Sequence, residues 1–288
     1  MKVLVTGAAG MLGDAVVRRL AADHAVVGID LPDGDLADAG AAVRLVAAAA
    51  PDWVVHCAAW TDVDGAETRR DEAMAANAGA TANLARLCRE RDAGLTYIST
   101  DYVFDGSAGH GGWDEDDPRA PLNHYGLTKA RGEETVAALP GPWQIVRTSW
   151  LFGDGRVNFV KTVRRLLAER ETLQVVDDQA GCPTYAEDLA AVLAFLVSSR
   201  RHGIFHGTNA GSCTWHAFAQ EIARRCGHDP ARVLPCASDA FPRPARRPAC
   251  SVLRSRRLEE AGCPPRPTWQ DAARRYLELL VAGRVRHP

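Results

Sequence analysis

The 288-residue sequence has no long apolar run, no excess of either charge and no paired cysteines. Its opening stretch, MKVLVTGAAGMLGD, reaches only a few apolar residues before glycines interrupt it, too few for a secretory core or a membrane span, so a cytoplasmic protein is expected. Lys and Arg total 34 against 36 for Asp and Glu. Without a global field, neither nucleic acid nor an anionic membrane is an expected partner, and any charged ligand must be recognised locally. The eight cysteines, at 57, 88, 182, 213, 226, 236, 250 and 263, show no C-x-x-C spacing and read as reduced thiols. Of nine histidines only His202 and His206 stand four apart, and HGIFHGTN reads as a strand, so no metal site is expected.

What is present is an alternation. Short β-rich runs (KVLVTG, AVVGID, DWVVHCAA, LTYIST, WQIVRTSW) are separated by Ala/Leu/Arg-rich stretches of helical period. Continuously apolar strands between amphipathic helices predict an α/β fold, a doubly wound parallel sheet covered on both faces. After Trp150 the rhythm changes: VNFVKTVRRLLAER is helical, TLQVVDD a short strand, TYAEDLAAVLAFLVSS a helix leading into GIFHGTN. The expected division is a sheet domain over 1–158 with 184–209, and a smaller mixed α/β lobe over 159–183 with 210–288.

The motifs fall at the carboxyl ends of the predicted strands. VLVTGAAGMLG puts Gly7, Gly10 and Gly13 between the first strand and the first helix, where glycine allows a tight turn and a pyrophosphate can approach free N–H groups at the positive helix end. This is a Rossmann dinucleotide site by context. Asp30 ends the second strand, placed to accept hydrogen bonds from an adenosine ribose, which favours NADH; no Arg or Lys in DLPDGDL offers a grip for a 2′-phosphate. Asp35 and Leu36 follow at a spacing suited to the adenine edge, and Ala58 and Ala59 in HCAAW leave room for a cofactor against the backbone. Thr100 closes the fourth strand. Tyr125 and Lys129 stand at i and i+4 in NHYGLTKARGE, so they share a helix face, and an ammonium beside a phenol lowers its pKa from about 10.

A glycine-rich loop, a strand-end threonine and a downstream Y-x-x-x-K resemble the extended short-chain dehydrogenase/reductase superfamily. Within it, STDYVFDG, APLNHYGLTKARGE, RTSWLFG, NFVKT, DDQAGCPTYAEDLA and PARRPACSVL are similar to the dTDP-4-dehydrorhamnose reductase family over nearly the whole chain. The resemblance implies NADPH- or NADH-dependent reduction of the 4-keto group of a dTDP-sugar, dTDP-4-dehydro-L-rhamnose, and is compatible with a homodimer. It implies a triad of Thr100, Tyr125 and Lys129, with Tyr125 the proton donor and Lys129 also holding the nicotinamide ribose. Cofactor contacts are implied for Gly10, Met11, Leu12, Asp35, Leu36, Ala58, Ala59 and Trp60, and a sugar pocket for Thr100, Asp101 and Trp150. Trp60 departs from the histidine or tyrosine often found at its position.

Other residues admit two uses. Arg246 and Arg247 in PARRP suit either a nucleotide diphosphate or a tie between lobes; Asn158 suits a phosphate or a helix cap; Gln179 is expected near the sugar. A sugar-nucleotide dehydratase would need a further acid/base pair after Thr100, where Asp101 and Tyr102 stand instead. Two alternatives share the pattern: another dTDP-4-keto-6-deoxyhexose 4-ketoreductase, and a non-catalytic NAD(P)-binding subunit resembling the regulatory subunit of methionine adenosyltransferase.

Overall fold

The computed structural model describes residues 1–108, 111–155 and 157–284; residues 109–110, 156 and 285–288, which fall inside the two expected segments, lie outside the described residues. Five strands, β1 (Lys2–Thr6), β2 (Ala25–Ile29), β3 (Trp53–His56), β4 (Gly94–Thr100) and β5 (Trp143–Thr148), join Gly203–His206 in one six-stranded sheet. Every pairing is parallel, in the order Gly203–His206, β5, β4, β3, β1, β2. β1, β3 and β5 are buried nearly throughout, as a sheet covered on both faces requires.

The covering helices are amphipathic by sequence. The first, α1 (Met11–Leu20), buries Leu12, Ala15, Val16 and Leu20 and carries Asp14 in its first turn and Arg18 and Arg19 in its last, complementing the helix dipole. It packs with helix Ala186–Ser199 on one face of the sheet, around Val3, Val5, Trp53 and Val55. On the other face α2 (Ala39–Ala49) and helix Ala80–Arg91 enclose Leu4, Val54, Leu95, Tyr97 and Ile145. The order in which strands are added reverses between β1 and β3, the switch point outside whose strand ends ligands bind in open α/β sheets.

A third core lies apart from the sheet. Helices Phe159–Glu169, Trp215–Arg225 and Trp269–Val281 pack Val163, Phe218, Ile222, Trp269 and Tyr276 with Phe152 and Tyr185. Leu173–Val176 pairs in parallel with Val233–Cys236, 60 residues on by register. Between these two strands the chain leaves to build helix Ala186–Ser199 and the sixth sheet strand. No helix among the described residues is long and apolar enough to cross a membrane.

Candidate active site

The loop after β1 is shaped by contacts that leave no room for side chains. Gly7 has φ +67°, and a Cβ on it would meet the Ala58 nitrogen at 2.6 Å; a Cβ on Gly13 would fall on the Gly7 carbonyl. The loop therefore lies against the end of β3, with Ala58 and Ala59 half-buried beside it. Gly10 caps α1 with no side-chain hydrogen bond, so the N–H groups of Met11, Leu12 and Gly13 have no partner within the helix and form an anion cradle. Asp30 does more here than face a ribose. Its Oδ2 accepts from Ala9 N at 2.7 Å and its Oδ1 from Leu31 N at 2.8 Å, bolting the loop to the end of β2 while each oxygen keeps a lone pair. Asp35 is exposed and turns back on its own backbone through Ala37 N, whereas Leu36 is buried in the core. A glycine cradle, free helix N–H groups and a carboxylate at the second strand's end fit a dinucleotide.

Thr100 and Asp101 sit one strand beyond β3. Thr100 Oγ1 donates to Asp101 Oδ1 at 2.9 Å, while Asp101 Oδ2 is buried without a hydrogen-bond partner. Burial raises the Asp101 carboxyl to about 6, against the opposing pull of Ser251 and Thr100. Helix His124–Ala137 brings Tyr125 and Lys129 over the same edge. Asn123 caps it, accepting from Gly126 N at 2.8 Å, and Gly126 lets its first turn press on the Tyr102 carbonyl. The Thr100 hydroxyl reaches the Tyr125 phenol and favours ionisation, but burial, with Asp101 nearby, lifts that phenol above its ordinary 10. The expected lowering by Lys129 is absent, because the lysine is turned toward the ring of Tyr97, 4.2 Å from its centroid. Burial brings the Lys129 ammonium down to about 7, with Glu133 and Cys57 opposing.

Several residues that hold this arrangement carry no obvious sequence signal. Asn77 is buried in a single π-helical turn, Ala75–Gly79; its side chain accepts from Trp60 N at 2.8 Å and donates to Trp60 O at 3.1 Å and Thr128 Oγ1 at 2.8 Å. Thr128 donates to Tyr125 O at 2.7 Å, so Asn77 links the loop after β3 to the helix of Tyr125. An Asn and a Gly inside the alanine-rich ANAGATANL were the available hint. Glu133, one turn beyond Lys129, is clamped by Arg147 through two bonds of 2.8 Å and by Ser99 Oγ at 2.6 Å. Among the described residues no group of three or more His, Cys, Asp or Glu side chains is placed to hold a metal ion.

On the lobe side Trp150, at φ +48°, stacks on Trp215 with centroids 3.5 Å apart, its ring lying over Gly181. Trp60 is half-buried, its Nε1 donating to Asp62 O and the Arg69 guanidinium 4.2 Å above its ring. Of the paired arginines, Arg247 is committed to Asp64 by bonds of 2.5 and 2.9 Å, a tie between the β3 loop and the carboxyl-terminal segment, whereas Arg246 is exposed and its side chain has no partner among the described residues. Asn158 is a cap: it accepts from Lys161 N and donates to Gly153 O and Tyr276 Oη. Gln179 is half-buried between Leu173–Val176 and Ala180–Gly181.

Residues 1–281 match the family model described as the RmlD substrate binding domain. A dTDP-4-dehydrorhamnose reductase of Streptomyces griseus is 45% identical over 293 residues, covering 99% of this chain and 95% of its own. The solved structure of a dTDP-4-dehydrorhamnose reductase from Clostridium acetobutylicum has a TM-score of 0.93 at 41% identity, over 98% of this chain and 100% of that one. The enzyme of that name from Bacillus anthracis, solved in complex with NADP, has a TM-score of 0.91 at 37% identity, over 96% of this chain and 99% of that one. Sequence and fold agree from end to end, and the chain belongs to the dTDP-4-dehydrorhamnose reductase family.

Proposed function

We propose that the protein reduces the 4-keto group of dTDP-4-dehydro-L-rhamnose to give dTDP-L-rhamnose, using NADPH or NADH. The observation that carries this reading is the convergence of Thr100, Tyr125 and Lys129 at one strand edge beside the glycine cradle. The bound cofactor supplies a hydride to the sugar carbonyl carbon. As that bond forms, the Tyr125 phenol gives its proton to the carbonyl oxygen and becomes phenolate. A phenol held above its ordinary pKa is fully protonated at neutral pH, so the acid is always loaded. The Thr100 hydroxyl, turning from Asp101 Oδ1, donates a hydrogen bond to the same oxygen as charge grows on it, and Lys129, next on the same helix face, holds the nicotinamide ribose. Asp101 and Trp150 line the sugar, while Gly7, Gly10, Met11, Leu12, Gly13, Asp30, Asp35, Leu36, Ala58, Ala59 and Trp60 form the cofactor side.

In this reading residues 1–158 with 184–209 bind the dinucleotide, and 159–183 with 210–288 bind the sugar nucleotide, in a cytoplasmic enzyme that can pair as a homodimer. The test is incubation with dTDP-4-dehydro-L-rhamnose and each reduced nicotinamide in turn, with the product identified by NMR. Oxidation of cofactor with appearance of dTDP-L-rhamnose is expected. The C4 epimer as product would make the chain a different 4-ketoreductase, and cofactor binding without turnover would make it a regulatory subunit.

A further inference from the structure

Four residues other than glycine have positive φ among the described residues: Ala50, Asp92, Arg200 and Trp150. The first three end helices, where a left-handed residue closes the last turn. Trp150, at φ +48°, caps no helix; it follows β5, and a bulky aromatic residue in that conformation is an outlier of the kind folds keep at functional sites. Its place is next to the chemistry. Thr148, two residues before it, pairs in register with Thr100.

The backbone on either side of Trp150 is tied to one segment of the chain. Ser149 Oγ donates to Cys182 O at 2.8 Å, and Thr184 N donates to Trp150 O at 3.2 Å. The ring is held by the same region. Gly181 lies so close that a Cβ on it would stand 2.4 Å from Trp150 Cε2, so only glycine leaves room for the indole. Gly181 pairs with Cys213, and two residues further on Trp215 opens a helix that Thr214 caps. The Trp215 ring stacks on Trp150 with centroids 3.5 Å apart and planes 6° from parallel. Phe159 meets Trp215 at 4.5 Å, and Phe218, fully buried in the lobe core, meets Phe159 at 5.4 Å. The indole of a residue on the sheet's edge is thus aimed by the core of the lobe. Both tryptophans stay half-buried, unlike the core aromatics Phe152, Phe218 and Tyr276, so the stack keeps an open side.

We propose that Trp215 is a positioning residue of the sugar pocket: stacked on Trp150 from the lobe, with Gly181 as a second stop, it fixes that indole as the wall that holds the substrate's sugar ring at Thr100 and Tyr125. The proposal rests on the ketoreductase reading for what the wall holds; the stack itself does not. The C–H groups of a 6-deoxyhexose suit an aromatic wall, and a ring held in place before the sugar arrives need not be ordered on binding. A left-handed Trp150 requires that outside support, since its own backbone does not favour the conformation.

The experiment has a spectroscopic and a kinetic arm. Two indoles stacked this closely give an exciton couplet in far-ultraviolet circular dichroism; the wild type should show it, and Trp215→Leu and Trp150→Ala should each remove it. A wild type without the couplet overturns the proposal, whatever substrate the enzyme takes. In turnover of dTDP-4-dehydro-L-rhamnose, Trp215→Leu should raise KM roughly tenfold, with kcat and the KM for NADH or NADPH within about twofold of wild type. Trp215→Phe, which keeps a stacking ring, should bring the sugar KM back to within about threefold. On a Trp150→Ala background, Trp215→Leu should raise KM by no more than about a further twofold, because it acts only through the ring already removed. A Trp215→Leu enzyme with the wild-type KM, or one whose effect is undiminished on the Trp150→Ala background, overturns the proposal. Should Trp215→Leu not fold, Gly181→Ala decides: its methyl displaces the Trp150 ring and should raise the sugar KM, and an unchanged KM overturns the proposal. A wild-type protein that turns over no keto sugar fails the ketoreductase reading and takes the pocket role with it, whereas an active wild type with indifferent variants fails the proposal alone.

Discussion

Arg147 and Lys129 are both buried cations, 2% and 3% exposed, yet they are treated in opposite ways. Arg147 meets Glu133 through two bonds of 2.8 Å, the Glu115 carbonyl at 3.2 Å, and the face of Phe104 at 5.0 Å. Lys129, one helical turn before Glu133, receives a ring face and no anion. A buried charge left without an anion costs free energy, and a fold keeps it only where something else uses it. The saturated cation therefore marks scaffold and the unsaturated one marks chemistry. The same contrast recurs on the surface, where Arg247 is spent on Asp64 and its neighbour Arg246 is free among the described residues.

The strongest break of that contrast is at the acid itself. Tyr125→Phe should lower kcat by roughly 10² to 10⁴ fold, the range for a positioned proton donor, with little change in KM. A near-normal rate in steady-state assays with the keto sugar would move the proton to Asp101. Next comes the scaffold cation: Arg147→Leu leaves the buried Glu133 with only Ser99 and the more distant Arg119, at 3.4 Å, and should cost about 3–5 kcal/mol in urea unfolding, as removing one member of a buried pair does. A loss no larger than that of a surface change would mean the pair is no bolt. Arg246→Ala should raise the KM for the dTDP-sugar by roughly tenfold, about 1.4 kcal/mol, if the free guanidinium meets the diphosphate, and leave the urea midpoint unchanged. Equal effects of Arg246→Ala and Arg247→Ala on both measures would erase the surface half of the comparison.

Lys129→Met should abolish turnover yet leave stability within about 1 kcal/mol of wild type at pH 7, or raise it, since it removes a buried charge that lacks an anion. The sign also shows in pH. Lys129 has a folded pKa of about 7, below the ordinary value of about 10.4 in an unfolded chain. Across that window the unfolded state binds more protons, so the cofactor-free wild type should gain stability as pH rises from about 7 toward 10. The Lys129→Met protein should lack this gain when urea midpoints are compared across pH.

Local features were the legible ones. The five first strands, the glycine loop and the Tyr125/Lys129 pair each follow from a few adjacent residues and a period. The direction in which Lys129 points did not, because it depends on Tyr97, 32 residues earlier on β4. Asn77 and the Glu133–Arg147 clamp were equally hidden: the clamp needs Ser99 and Arg147 set side by side by the register of β4 and β5, and Asn77 reaches Trp60 and Thr128 on two other segments. Arg246 and Arg247 read alike as neighbours and differ only because Asp64 reaches one of them. In the lobe, TLQVVDD was visible as a strand, but its partner Val233–Cys236 lay beyond an entire helix and sheet strand and carries proline at its centre.

That last pairing sets an order of assembly. As the chain leaves the ribosome, Leu173–Val176 emerges early and must wait, because the next residues belong to the other body and only Val233–Cys236 completes its sheet. Helix Ala186–Ser199 and strand Gly203–His206 can dock on the nearly finished six-stranded sheet meanwhile. The lobe is thus threaded through its neighbour's completion, and a nascent chain stalled before residue 233 would hold a finished sheet and a half-made lobe with its apolar strand unpaired, a form prone to association during synthesis.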